Sequence, residues 1–168
     1  MKNKWILQVF ILSFILSALF SGLSSYLSNL NIIILTIVLI IVILIGILFD
    51  MIGVATLTAL EAPFHARNSK KIKEAQACIK LLKNSTKVSS VCNDIIGDIC
   101  GIISGSLGAS LTLYLITLGM NSLLATILIT SLVSSLTVGG KAICKNIATK
   151  KSDSIVLITG KIINFFQH

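Results

Sequence analysis

Acidic residues are scarce in this chain. Six Asp and Glu stand against fourteen Lys and Arg in 168 residues, a net charge of +8, and all charged residues together make up only 12%. With 55% hydrophobic residues, so little charge leaves too little polar surface to cover a soluble domain of this size. Proline occurs once, at Pro63, so long helices run without their usual breaker. The two histidines, His65 and His168, are too few and too scattered for a histidine-built metal cluster. Cys78, Cys92, Cys100 and Cys144 show no CxxC pairing, which argues against zinc-ribbon and dithiol redox motifs and leaves reduced thiols packed as small apolar groups. No nucleophile, base and orienting group recur together at a usable spacing, so neither an enzyme nor a permanently bound cofactor is expected.

What the chain does have is long apolar runs, and its mean hydropathy is +0.98. The composition predicts an all-α integral membrane protein with about four transmembrane helices and amphipathic juxtamembrane helices. At about 20 residues per crossing, the candidate spans are 5–26, 32–49 with an apolar continuation to residue 60, 95–118 and 123–138. The N-terminal run is long for the apolar region of a signal peptide, and Phe20-Ser21-Gly22 is only a fair cleavage site, so a retained helix is the expectation.

Charge orients these spans. Lys2 and Lys4 precede the first. Arg67, Lys70, Lys71, Lys73, Lys80, Lys83 and Lys87 lie between the second and third, and Lys141, Lys145, Lys150, Lys151 and Lys161 follow the fourth. The short loops 27–31 and 119–122 carry no charge. The positive-inside rule therefore predicts a multi-pass plasma-membrane protein with both termini and the central loop in the cytoplasm. Trp5, Tyr26 and Tyr114 fall where interfacial aromatic belts are expected. The basic excess is explained by topology and by attraction to anionic lipid, so the bilayer is the expected partner and nucleic acid is not.

Two cytoplasmic stretches have amphipathic spacing. Ile72, Ala75, Ile79 and Leu82 repeat opposite Lys70, Lys73, Lys80 and Lys87 after a helix start at Pro63, with a turn at Asn84-Ser85. Ile155, Ile158, Ile162 and Phe165 repeat the design after Ser152-Asp153-Ser154. Both are expected to lie on the membrane surface.

The acids inside or beside apolar runs are the candidates for function, because a carboxylate in a bilayer is costly unless it binds something. Asp94 and Asp98, four residues apart, stack on one face of an α-helix, and Gly101, Gly105, Gly108 and Thr112 extend that face. Gly97, Gly101 and Gly105 form a GxxxGxxxG motif that admits a close helix neighbour and presses the acids into a protein interior. Thr126, Thr130, Ser134 and Thr137 align hydroxyls that supply a facing wall. At Asp50 two readings stand: the helix ends there and the acid is wet, or it continues and the acid is buried. Such oxygen ligands suit Mg²⁺ or Ca²⁺, with Na⁺ or protons as other candidates. The structural alternative has Asp94 and Asp98 capping a helix start and pairing with Lys87 or Lys141.

In this order of pieces, residues 49–166 resemble the transmembrane domain of the CNNM/CorB/CorC family of magnesium transporters. The segment Ala-Gln-Ala-Cys-Ile-Lys-Leu-Leu-Lys-Asn-Ser at 75–85 is similar to the end of the family's basic helical hairpin. Asn93, preceded by Cys92, is similar to the Gly-Asn pair whose Asn helps form the family's cation site. Gly140-Lys141-Ala142-Ile143-Cys144-Lys145 resembles the family's Gly-Glu-Ile-x-Pro-Lys turn, with Lys141 in place of Glu and Cys144 in place of Pro. The family's Ser-Gly-Ser-Glu signature is missing near Met51 to Val54, though Phe20-Ser21-Gly22 echoes its start.

The resemblance implies an extra N-terminal helix over 1–30 and a family-like domain over 31–168, with spans at 32–56, 93–118 and 122–139. It also implies a cytoplasmic hairpin over 62–90 and a belt helix over 141–167. It further implies a homodimer that moves a divalent cation, Mg²⁺ first and Co²⁺ second, as cargo. With Asp50, Asp94 and Asp98 taken from their placement in a rearranged site and Asn93 from the resemblance, these four would be the metal ligands, supported by Gly97, Gly101, Gly105, Thr130 and Ser134 from helix spacing and by Gly140 and Lys145 from the resemblance. With His168 as its last residue the chain is expected to lack the CBS pair, and with it regulation by ATP. The alternatives are a non-transporting scaffold or accessory subunit on the same fold and, more distantly, a holin-like pore.

Overall fold

The structure is a computed structural model that describes residues 2–27, 31–69 and 72–166, and these are helical with no strand among them. Helix α1 covers Lys2–Leu27, α2 Ile32–Thr58, α3 Ala62–Ser69, α4 Lys73–Lys83 and α5 Ser85–Ser89. A π-helical stretch, Ser90–Gly97, leads into α6 at Asp98–Thr117, followed by α7 at Ser122–Lys150 and α8 at Ser152–Phe166. Lys70 lies outside the described residues, as do the side chains of Trp5 and Tyr26.

Among the described residues three helical stretches are long and apolar enough to cross a membrane: Ile32–Thr58, Ser85–Thr117 and Ser122–Lys150. The first is 27 residues long, about 40 Å at about 1.5 Å per residue, which exceeds a hydrocarbon core of about 30 Å. Helix α1 forms where a fourth span is expected, and among its described side chains Phe10–Leu19 is an apolar stretch.

The chain divides into two compact units. The first comprises Met1–Ile47 and Ile95–Gly140. Within it Leu35, Leu39, Ile43 and Ile47 line the buried face of α2 at four-residue spacing. On α6 the matching face is Ile99, Ile103, Leu107 and Leu111, and on α7 it includes Ala125 and Ile129. Gly46 lets α2 approach α6 so closely that a Cβ there would lie 2.9 Å from that of Cys100, and Gly140 stands directly against the side chain of Ile47. Asn31 and Asn121 cap α2 and α7, each accepting an N–H from two residues ahead at 3.1 and 2.9 Å. Gly119, at φ 91°, closes α6 in the left-handed conformation that glycine adopts without strain. Ile33, Leu113 and Leu123 remain more than half exposed, an outward apolar surface of the kind that lipid covers.

The second unit comprises Leu48–Asp94 and Lys141–His168. Its core joins Ala55, Phe64, Cys78, Ile79, Leu82, Ala148, Ile155 and Val156. The amphipathic reading of α4 holds for its spacing, and Asn84 ends the helix as expected, its Nδ2 donating to the Lys80 carbonyl. Its surroundings differ from the expectation. The face of Ala75, Cys78, Ile79 and Leu82 is buried in protein and packs on α8. Helix α8 is likewise divided, with Ile155 and Val156 in the core while Ile158, Ile162 and Phe165 are exposed.

The last helix starts at Ser152 instead of 141, because α7 runs unbroken through Gly140 and Lys145 to Lys150. Cys144 stands where the resembled family has proline, so nothing removes the N–H or blocks the turn at that point.

Contact between α4 and α8 is tightest at Gly160. A Cβ there would overlap the Cys78 sulfur and lie 3.4 Å from both the Cys78 nitrogen and the Glu74 carbonyl oxygen. Cys78 Sγ itself donates to the Val156 carbonyl at 3.5 Å. Gly160→Ala is therefore expected to destabilise this unit by about 1–3 kcal/mol, the usual cost of overpacking. Adding Cys78→Ala is expected to recover part of that loss. A double-mutant cycle by thermal unfolding checks this, and purely additive losses would refute the close contact.

Candidate functional site

Helix α2 does not stop at Asp50. Nothing from Met51 to Thr58 breaks it, so the carboxylate sits inside a continuous helix and is 3% exposed. Of the two readings of this acid, the buried one is correct. Three residues on, and on the neighbouring turn of the same face, Gly53 offers bare backbone. The side chain of Asn93 rests directly on it, so any Cβ at position 53 would collide with the amide. Thr56, also buried, donates to the Gly53 carbonyl at 2.9 Å.

Asn93 belongs to the π-helical stretch. A π-helix closes its hydrogen bonds over five residues, so each turn takes up more chain than an α-turn. The face that Asp94 and Asp98 share was expected to point inward and points outward instead. Both are exposed, while Asn93 is the polar residue turned inward. Its Nδ2 donates to Oγ of the buried Ser89 at 3.2 Å, whereas Oδ1 is buried without any donor.

Asp50 Oδ2 is likewise buried with no hydrogen bond. The Lys145 ammonium approaches it at 3.6 Å, an ion pair too long to be a hydrogen bond. Asn93 Oδ1 thus lacks a donor, at a desolvation cost of about 1–3 kcal/mol, while Asp50 Oδ2 has only the ammonium beside it. A cation or a proton donor is what such a place lacks.

The remaining predicted residues fall elsewhere. Among the described residues no three His, Cys, Asp or Glu side chains converge to hold a metal, so Asp50, Asp94 and Asp98 do not form one acidic cluster. Gly97 is buried, but Gly101 and Gly105 have open space beside them. With Gly108, Thr130, Ser134 and Thr137 they border a cavity of about 290 Å³ within the first unit, so the expected facing wall exists without the acids it was meant to face. Thr130 and Thr137 donate their protons to carbonyls of their own helix, at 2.6 and 2.8 Å. Gly140 serves packing against Ile47.

Gly53 and Ser89 escaped sequence reasoning. The signal for Gly53 was a glycine inside an apolar helix, a common mark of close approach by another group. Ser89 had no comparable signal. Lys145 was singled out only through the family resemblance, and nothing in its local sequence points to Asp50. Compared with known protein families, curated proteins and solved structures, the chain has no match.

Proposed function

We propose that this chain is a membrane-embedded transporter of divalent cations of the CNNM/CorB/CorC type, with Mg²⁺ as the first candidate cargo and Co²⁺ the second. The observation that carries the reading is the pair of buried oxygens, Asp50 Oδ2 and Asn93 Oδ1, for which the protein supplies no hydrogen-bond donor. A carboxylate and an amide carbonyl are hard ligands that suit Mg²⁺, which keeps several of its waters and takes few protein oxygens. Buried polar groups in helices of membrane-spanning length mark ion pathways by default.

On this reading α1 is a fourth crossing and the basic segments face the cytoplasm. Asp94 and Asp98, exposed in the single chain, attract cations toward the site. The open glycine edge at Gly101 and Gly105 receives a second copy in a homodimer. A second reading, a scaffold without transport, draws on the Lys145–Asp50 ion pair, which balances the buried charge internally.

Reconstitution in liposomes loaded with a Mg²⁺-sensitive dye separates the two. Wild-type protein is expected to admit Mg²⁺ well above empty liposomes, and Asp50→Asn to reduce that flux at least about tenfold while inserting normally, a loss of about 1.4 kcal/mol in site free energy. Flux indistinguishable from empty liposomes, or unchanged in Asp50→Asn, would overturn transport at this site.

A further inference from the structure

The ion pair at the site is lopsided. The Asp50 side chain is 4% exposed and that of Lys145 is 52% exposed. The carboxylate is built into the protein, while the ammonium reaches it on a long stem whose other half is solvated. Lys145 can therefore leave by rotating its own side chain, with no movement of α7, whereas Asp50 cannot follow it. Nor does the ammonium fill the site. At 3.6 Å it neutralises Asp50 without a hydrogen bond, and Asn93 Oδ1 still has no donor.

We infer that Lys145 is a specificity-determining residue: a tethered cation that turns ion entry at Asp50 and Asn93 into an exchange and thereby selects divalent over monovalent ions. This inference rests on the cation-site reading proposed above. The physical argument is a comparison of charges. A monovalent ion replaces one positive charge by another and must also compete with a group whose tether keeps it at a high effective concentration. The exchange gains a monovalent ion almost nothing. A divalent ion brings twice the charge to the same carboxylate, and Coulomb attraction at equal distance doubles.

Calorimetric titration of the purified full chain with Mg²⁺, with and without Na⁺ at physiological concentration, tests this on wild type, Lys145→Met and Lys145→Arg. Wild type is expected to bind Mg²⁺ with no effect of Na⁺. Lys145→Met, similar in length but uncharged, is expected to bind Mg²⁺ about tenfold more tightly or better, because the competing charge is gone. It is also expected to become sensitive to Na⁺, and Lys145→Arg to stay close to wild type.

Equal Mg²⁺ affinity and equal indifference to Na⁺ in wild type and a folded Lys145→Met would overturn the exchange while leaving the cation site standing. Absence of Mg²⁺ binding in both would overturn the site reading itself. Should Lys145→Met fail to fold, competition by Na⁺ against Mg²⁺ in wild type is sufficient to sink the proposal.

Discussion

Replacing Phe64 by Ala is expected to cost the second unit about 3–5 kcal/mol, the range for removing a fully buried aromatic ring from a core. Phe64 is 1% exposed and belongs to the cluster that joins α3, α4, α8 and the ends of α2 and α7. Few other side chains there are as large, so the neighbours cannot close over the space it leaves.

Cys78, in the same cluster, provides the measurement. Its thiol is fully buried, and burial pushes its pKa up, against a smaller lowering by a backbone hydrogen bond. It is therefore protonated and shielded at neutral pH, and alkylation requires the unit to open. In a background where Cys78 is the sole thiol, Phe64→Ala is expected to raise the alkylation rate about a hundredfold or more, since each 1.4 kcal/mol is a factor of ten. A rate unchanged within a factor of about three would correspond to under 1 kcal/mol and would contradict the packing described here.

The second large effect is an asymmetry. Lys145→Met leaves a buried carboxylate without a counter-charge, a defect that costs about 3–5 kcal/mol where both partners are buried and toward the lower end here, because the lysine side is wet. Asp50→Asn leaves behind only a half-exposed ammonium, which turns to water. It is expected to cost under about 1 kcal/mol, as for a solvent-accessible pair. Thermal unfolding in detergent without divalent ions compares the two directly, and addition of Mg²⁺ is expected to recover much of the Lys145→Met loss but none of any Asp50→Asn loss. Equal losses from the two substitutions would show that Asp50 is not held in the dry environment described.

Much of the architecture is local in origin and was legible as such. Apolar runs longer than about 20 residues with a single proline in the whole chain predict long helices whatever their neighbours. The turns at Asn84 and Gly119 and the amphipathic spacing of α4 and α8 follow from residue type and period. What α4 packs against does not, because an apolar helical face reads the same whether lipid or another helix will cover it. Here α8 covers it through Gly160.

The site was legible only in part. Asp50 and Asn93 stand out as polar groups in apolar surroundings. Which face of a helix turns inward depends on what packs against it, and the spacing of Asp94 and Asp98 fixes only that they share a face. Composition and hydrophobic period alone were enough for a helical chain with stretches of membrane-spanning length, since both act residue by residue along the chain. The burial of Asp50, the seat of Asn93 on Gly53 and the reach of Lys145 were decided by packing, because each depends on groups distant in sequence that only the folded chain brings within a few ångströms.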